Sequence, residues 1–151
     1  MRGPVDHLTF EDDLSAVQAA LAACRAAGRG WVNLFPSVEI EGGGGDAGLF
    51  TGRGPALPLA TWTPGGQRRR YPASATLGLQ HGTGPRVAAH LAELGLGVPA
   101  GWVVVQDHPR RGLVVEVPLG VDDRVVLDWL LAATSALCPV PFSSWAATVH
   151  P

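Results

Sequence analysis

Two short polar segments of this sequence carry the side chains best suited to chemistry. The first, Gln80-His81-Gly82-Thr83-Gly84-Pro85-Arg86, combines an imidazole, a hydroxyl and a guanidinium in one glycine-flanked turn. The second, Asp107-His108-Pro109-Arg110-Arg111-Gly112, combines a carboxylate, an imidazole and two guanidinium groups. Groups of these types transfer protons and bind anions. We call residues 81–86 and 107–111 together the rim.

Anion recognition is the first function that the rim suggests. A helix that begins near Gly84 would present free backbone N–H groups and the positive end of its dipole to a carboxylate or a phosphate. Arginine side chains bind the same groups through paired hydrogen bonds. The sequence therefore predicts a binding or interaction module whose ligand is a small anion or an acidic segment of a partner protein. The predicted ligand-binding residues are Thr83, Gly84, Arg86, Arg110 and Arg111.

Acid–base catalysis is the alternative. A histidine whose tautomer is held by a carboxylate can act as a general base, so His81 or His108 together with Asp107 would form the catalytic group of a small enzyme. Thr83 could then serve as a nucleophile or a substrate contact. No serine lies in a G-x-S-x-G elbow, so the sequence gives no support to a standard serine hydrolase.

Metal and cofactor sites have less support. His81, Asp107, His108 and His150 match no closed zinc spacing. The pattern Gly82-x-Gly84-x-x-Val87 resembles a dinucleotide-binding turn, but Val87 replaces the third glycine and a proline crowds the phosphate approach. We therefore expect neither a metal nor a cofactor.

The same residues also have a purely structural interpretation. Glycines around Thr83 are ordinary chemistry for a turn between a strand and a helix, with Thr83 or Gly84 as the N-cap. Asp107 could simply cap a hairpin turn. In that case His81 and His108 would have no part in function.

The second half of the chain predicts the elements that position the rim. Strands are expected at 75–80, 102–106, 113–117 and 142–149, and helices at 85–94 and from Asp122 to Pro139. This is the βαββαβ order of a ferredoxin-like fold over residues 74–150, a mainly antiparallel α+β sheet with helices packed on it. The first two strands run parallel in such a unit, so the two rim segments would lie at one sheet edge.

The first half predicts an α-β-β segment. A helix is expected from an N-cap at Thr9 to Gly28, followed by strands at 31–35 and 57–63. Pro58 indicates an edge position for the second of these strands, whereas the continuous apolar run at 102–106 indicates a strand covered on both faces. Four glycines at 42–45 predict a loop.

Composition narrows the function classes. The 151 residues fit a single globular domain, and a net charge of −2 does not favour nucleic-acid binding. Arginine without lysine indicates a GC-rich, bacterial genome. Two distant cysteines and the lack of a signal peptide predict a cytoplasmic protein. Residues 129–149 carry no charge, but two prolines and several hydroxyl side chains argue against a membrane span. Apolar strands could pair across a two-fold axis, so a homodimer is also among the expectations.

Overall fold

The computed structural model describes residues 3–38, 50–51, 54–55, 57–68, 70–82, 84 and 86–151. The predicted loop at 42–45 and the candidate residue Thr83 lie outside them. The helices and strands, in chain order, are β1 (Asp6–Phe10), α1 (Ser15–Ala27), β2 (Trp31–Ser37), β3 (Phe50–Thr51), β4 (Gly54–Pro55), β5 (Leu59–Pro64), β6 (Ala75–Gln80), α2 (Val87–Glu93), β7 (Val103–His108), β8 (Gly112–Val117), α3 (Asp123–Ala136) and β9 (Ser144–His150).

A seven-stranded sheet organises the chain. Its strand order is β1-β9-β2-β5-β6-β8-β7, and every neighbouring pair is antiparallel. Strands β3 and β4 form a separate antiparallel pair. The prediction of a mainly antiparallel α+β structure with helices packed on the sheet is confirmed.

The ferredoxin-like order is not confirmed. Strands β6, β8 and β7 follow it, but that fold would place β9 beside β6, where β5 lies instead. Strand β9 is inserted between β1 and β2. The expectation failed because β5 pairs with β6 over the whole of both strands and occupies the edge that β9 would need.

The first half also differs from the predicted α-β-β segment. Thr9 is not a helix N-cap but part of strand β1, and α1 begins at Ser15, whose backbone N–H donates to Asp13 Oδ1 at 2.9 Å. Pro58 precedes β5 instead of interrupting it, and β5 lies between β2 and β6, not at the edge of the sheet. The predicted helix end at Gly28, which adopts a left-handed conformation, is confirmed.

One face of the sheet carries the hydrophobic core. Leu77 of β6 lies opposite Val115 of β8, and both are about 1% exposed. They belong to one cluster with buried side chains of all three described helices, including Leu21, Leu91 and Leu130. Within the described part of the chain, no helix has the length and apolar character needed to cross a membrane.

Candidate functional site

The rim lies where β6 and β7 end and β8 begins. Both β6 and β7 pair antiparallel with β8, so they run parallel to each other with β8 between them. Leu79 near the end of β6 lies opposite Leu113, and His108 at the end of β7 lies opposite Gly112. The two polar segments, more than twenty residues apart in the chain, therefore meet at one end of the sheet, where β6 and β7 finish.

Asp107 holds the start of helix α2. Its Oδ1 atom accepts a hydrogen bond from the backbone N–H of Val87 at 3.0 Å, and its Oδ2 atom accepts one from Ala88 at 3.2 Å. Arg86 is the N-cap by position but contributes no side-chain cap. A carboxylate from another strand thus already occupies N–H groups that a helix start offers to an anion.

His81 is enclosed beside this carboxylate. The His81 residue is only 3% exposed. Burial lowers the pKa of His81 below its ordinary value of 6.5, because the imidazolium loses water, while the charge of Asp107 acts in the opposite direction and has the smaller effect. Burial therefore favours the neutral form of His81.

We expect this burial to make stability depend on pH. Because the folded-state pKa of His81 is lowered, the unfolded chain binds a proton at a pH where the folded chain does not, and the free energy of unfolding falls as pH drops below about 6.5. A His81→Gln variant lacks this contribution and should lose less stability between pH 7 and pH 5. Urea denaturation at pH 7, 6 and 5 measures the difference. The exposed His90, changed in His90→Gln, provides the control, and equal pH slopes for wild type and His81→Gln would contradict the prediction.

His108 serves the hairpin turn between β7 and β8. Its Nδ1 atom accepts hydrogen bonds from the backbone N–H groups of Arg110 and Arg111, both at 3.1 Å. A ring nitrogen that accepts hydrogen bonds offers its lone pair to the donors. The Nδ1 atom is therefore committed to the turn.

The rim arginines remain available to a ligand. Arg86, Arg110 and Arg111 are exposed, and none belongs to the ion pairs formed among the described residues. Asp107, the carboxylate nearest in sequence, bonds to helix α2 through both oxygens and forms no ion pair with Arg110 or Arg111 among the described residues. Within the rim, these three arginines are accompanied by one carboxylate, Asp107, so the rim has a positive formal charge although the chain is net negative.

The geometry of the described residues supports neither the metal site nor the dinucleotide site. No group of three or more histidine, cysteine, aspartate or glutamate side chains that could hold a metal occurs in the described part of the chain. His150 lies at the opposite end of the sheet from the rim, stacked on Trp31 with ring centroids 4.7 Å apart. A dinucleotide fold needs β6 and β7 as neighbours, but β8 separates them.

Comparison with protein-family models, with curated proteins and with solved structures finds no significant match.

Two features outside the rim could not be found from sequence patterns. A cleft of about 580 Å³ lies at the opposite end of the sheet from the rim. Arg25 in its wall donates to Asp123 Oδ1 at 2.6 Å and to the Ser74 carbonyl oxygen at 2.7 Å. A smaller cavity of about 210 Å³ lies beside the start of β7 and contains the ion pair of Arg68 with Glu116. Both depend on contacts between residues about 50 to 100 positions apart, which leave no local signal in the chain.

Proposed function

We propose that this protein is a binding module that takes an acidic ligand at the rim. The observation that supports the proposal most directly is the set of three exposed arginines, Arg86, Arg110 and Arg111, outside the ion pairs of the described residues. An acidic segment of a partner protein and a small anion share the chemistry that these guanidinium groups recognise.

The enzyme alternative is the weaker proposal. General acid–base catalysis needs an imidazole that a substrate can reach and a carboxylate that orients it. His81 is 3% exposed, and both oxygens of Asp107 hold helix α2. The Nδ1 atom of His108 bonds to its own turn. These contacts favour structural roles for His81, Asp107 and His108, whereas the rim arginines stay available to bind a ligand.

Removal of the two hairpin arginines tests the proposal. We expect an Arg110→Ala/Arg111→Ala double variant to bind acidic probes at least about tenfold more weakly than wild type, because each charge-assisted hydrogen bond to an ion contributes about 1.5 kcal/mol or more. Poly-L-glutamate represents the protein segment, and pyrophosphate and citrate represent small anions. Thermal-shift titration and isothermal calorimetry at low ionic strength give the affinities.

Arg29→Ala is the matched control, because Arg29 is an exposed arginine two residues before β2, at the opposite end of the sheet from the rim. Its affinity for all probes should equal that of wild type. Binding confined to poly-L-glutamate would identify a protein segment as the ligand, and binding of the small anions alone would identify a metabolite-type ligand. If no probe binds wild type, or if the double variant and Arg29→Ala behave alike, the rim does not recognise acidic ligands.

A further inference from the structure

Strand β7 is an exposed edge of the sheet. It pairs with β8 and ends the strand order, so one side of its backbone has no partner strand in the described structure. Val103, Val104 and Val105 are 41%, 42% and 43% exposed. This corrects the expectation that the strand at 102–106 is covered on both faces.

Natural sheets protect their edges with charged residues, prolines or β-bulges inside the edge strand. The opposite edge strand, β1, follows this rule, since Asp6 and His7 are exposed polar residues within it. No charged residue occurs from Leu94 to Gln106, so the valine half of β7 has a register shift between Val104 and Gln106 but no charge. An exposed, uncharged edge strand is a surface suited to strand addition.

The two ends of β7 offer different chemistry. Its C-terminal end leads directly to Arg110 and Arg111 of the rim. Its N-terminal end borders the cavity of about 210 Å³, whose walls include Tyr71, Val103 and Pro118 and whose lining is mostly apolar. A closed cavity of about 150 Å³ already holds a benzene molecule, so this space is large enough for one apolar side chain.

We infer that β7 is the docking strand for an extended acidic segment of a partner protein. The segment pairs antiparallel with β7, as every other strand of this sheet does, sets its carboxylates against Arg110 and Arg111, and inserts one apolar side chain into the cavity beside Val103. The inference rests on the proposed function, because it assigns the acidic ligand to the same arginines. It adds the backbone conformation of the ligand and a second specificity pocket.

Charge distinguishes this ligand from a second copy of the chain. In an antiparallel pair of two β7 strands, the arginine end of one strand meets the start of the other. Residues 94–102, which lead into that start, contain no carboxylate, so this segment of a second copy would offer the arginines no counter-charge. The register shift between Val104 and Gln106 also bends β7, and a flexible peptide adapts to such a bend more easily than an identical bent strand.

The geometry sets the spacing in the ligand. Six residues from Val103 to His108 span about 17 Å at about 3.4 Å per residue. The apolar residue and the nearest carboxylate of the ligand should therefore be about five residues apart. Antiparallel pairing puts the acidic residues at the N-terminal end of the segment.

A fluorescein-labelled peptide, Glu-Asp-Glu-Thr-Val-Thr-Val-Leu, is the probe, and fluorescence anisotropy with the wild-type protein gives its affinity. Two further versions carry N-methyl groups, one on both valines and the other on both central threonines. Strand pairing uses the N–H groups of alternate residues. We therefore expect one methylated version to bind at least about tenfold more weakly and the other to bind nearly as well as the unmodified peptide.

The cavity is tested by a double-mutant cycle. Tyr71→Ala should weaken binding of the leucine peptide several-fold and leave binding of an alanine-ended peptide unchanged, because only the leucine reaches the cavity wall. Tyr71 is 59% exposed, so its loss should not disturb the core.

The outcomes separate the two proposals. If both methylated peptides bind like the parent while Arg110→Ala/Arg111→Ala weakens all three, the rim recognises acid but strand addition is wrong. If methylation shows the alternation but the arginine variant binds normally, the strand site stands and the rim proposal fails. No binding of the parent peptide at 1 mM overturns strand addition. Self-association in sedimentation velocity that Val104→Lys abolishes would assign β7 to a second copy instead.

Discussion

Replacement of Gly112 by alanine is expected to destabilise the protein by about 3 kcal/mol. Gly112 starts β8 with a φ angle of +88°, and a Cβ atom there would lie 2.5 Å from the carbonyl oxygen of Leu79. The substitution therefore combines backbone strain with a clash against a strand that cannot move without losing its hydrogen bonds. In a protein of this size the change should lower Tm by roughly 6–12 °C, which differential scanning calorimetry would measure.

Gly95→Ala separates the two causes. Gly95 also has a positive φ, +77°, but a Cβ atom there would meet nothing within 4 Å. This control should cost only about 1 kcal/mol, the strain of the left-handed backbone. Equal losses for Gly112→Ala and Gly95→Ala would show that β8 does not approach β6 as closely as the structure indicates. The rim would then not be held together by this contact.

Removal of Arg68 is the second change with a large expected effect. Its Nε atom donates to Glu116 Oε1 at 2.5 Å, and the Glu116 side chain is 2% exposed with no hydrogen-bond partner for Oε2 in the described structure. Arg68→Ala leaves a buried carboxylate without its cation, so the free energy of unfolding should fall by about 3 kcal/mol. This is the lower end of the range for a buried pair, because the Arg68 side chain is 35% exposed. Urea denaturation gives the free energy of unfolding.

Two further variants test the cause of that loss. Arg124 forms an exposed pair with Asp128, so Arg124→Ala should cost less than about 0.5 kcal/mol. Adding Glu116→Gln to Arg68→Ala removes the buried charge and should recover part of the lost stability. A loss for Arg68→Ala no greater than that for Arg124→Ala would contradict the prediction.

Local patterns predicted much of the second half of the chain. Strand β6 was expected at the observed residues, and the hairpin of β7 and β8 followed from the polar link that joins them. Asp122 was expected to cap α3, and its side chain accepts from the Arg124 N–H at 2.9 Å. Each of these features depends on residues close together in the chain, where propensity and capping chemistry operate.

Long-range contacts account for what was missed. The helix start near residue 86 was assigned a local cap, Thr83 or Gly84, but Asp107 reaches the N–H of Val87 from another strand. The apolar run of β7 indicated a covered strand, yet nothing in the run shows that β7 is the last strand of the sheet. Sheet order depends on which strands compete for an edge, and local periodicity contains no information about that competition.

The position of β9 has a consequence for how this protein is made. Residues 144–150 fill the gap between β1 and β2, and β1 pairs with β9 alone among the described strands. During synthesis, β1 emerges from the ribosome more than a hundred residues before its partner strand does. Strands β2, β5, β6, β8 and β7 can pair in the meantime, whereas β1 must wait. Pairing over such a separation is slow, so the last step in forming the sheet is expected to be the capture of β1 and β2 by β9.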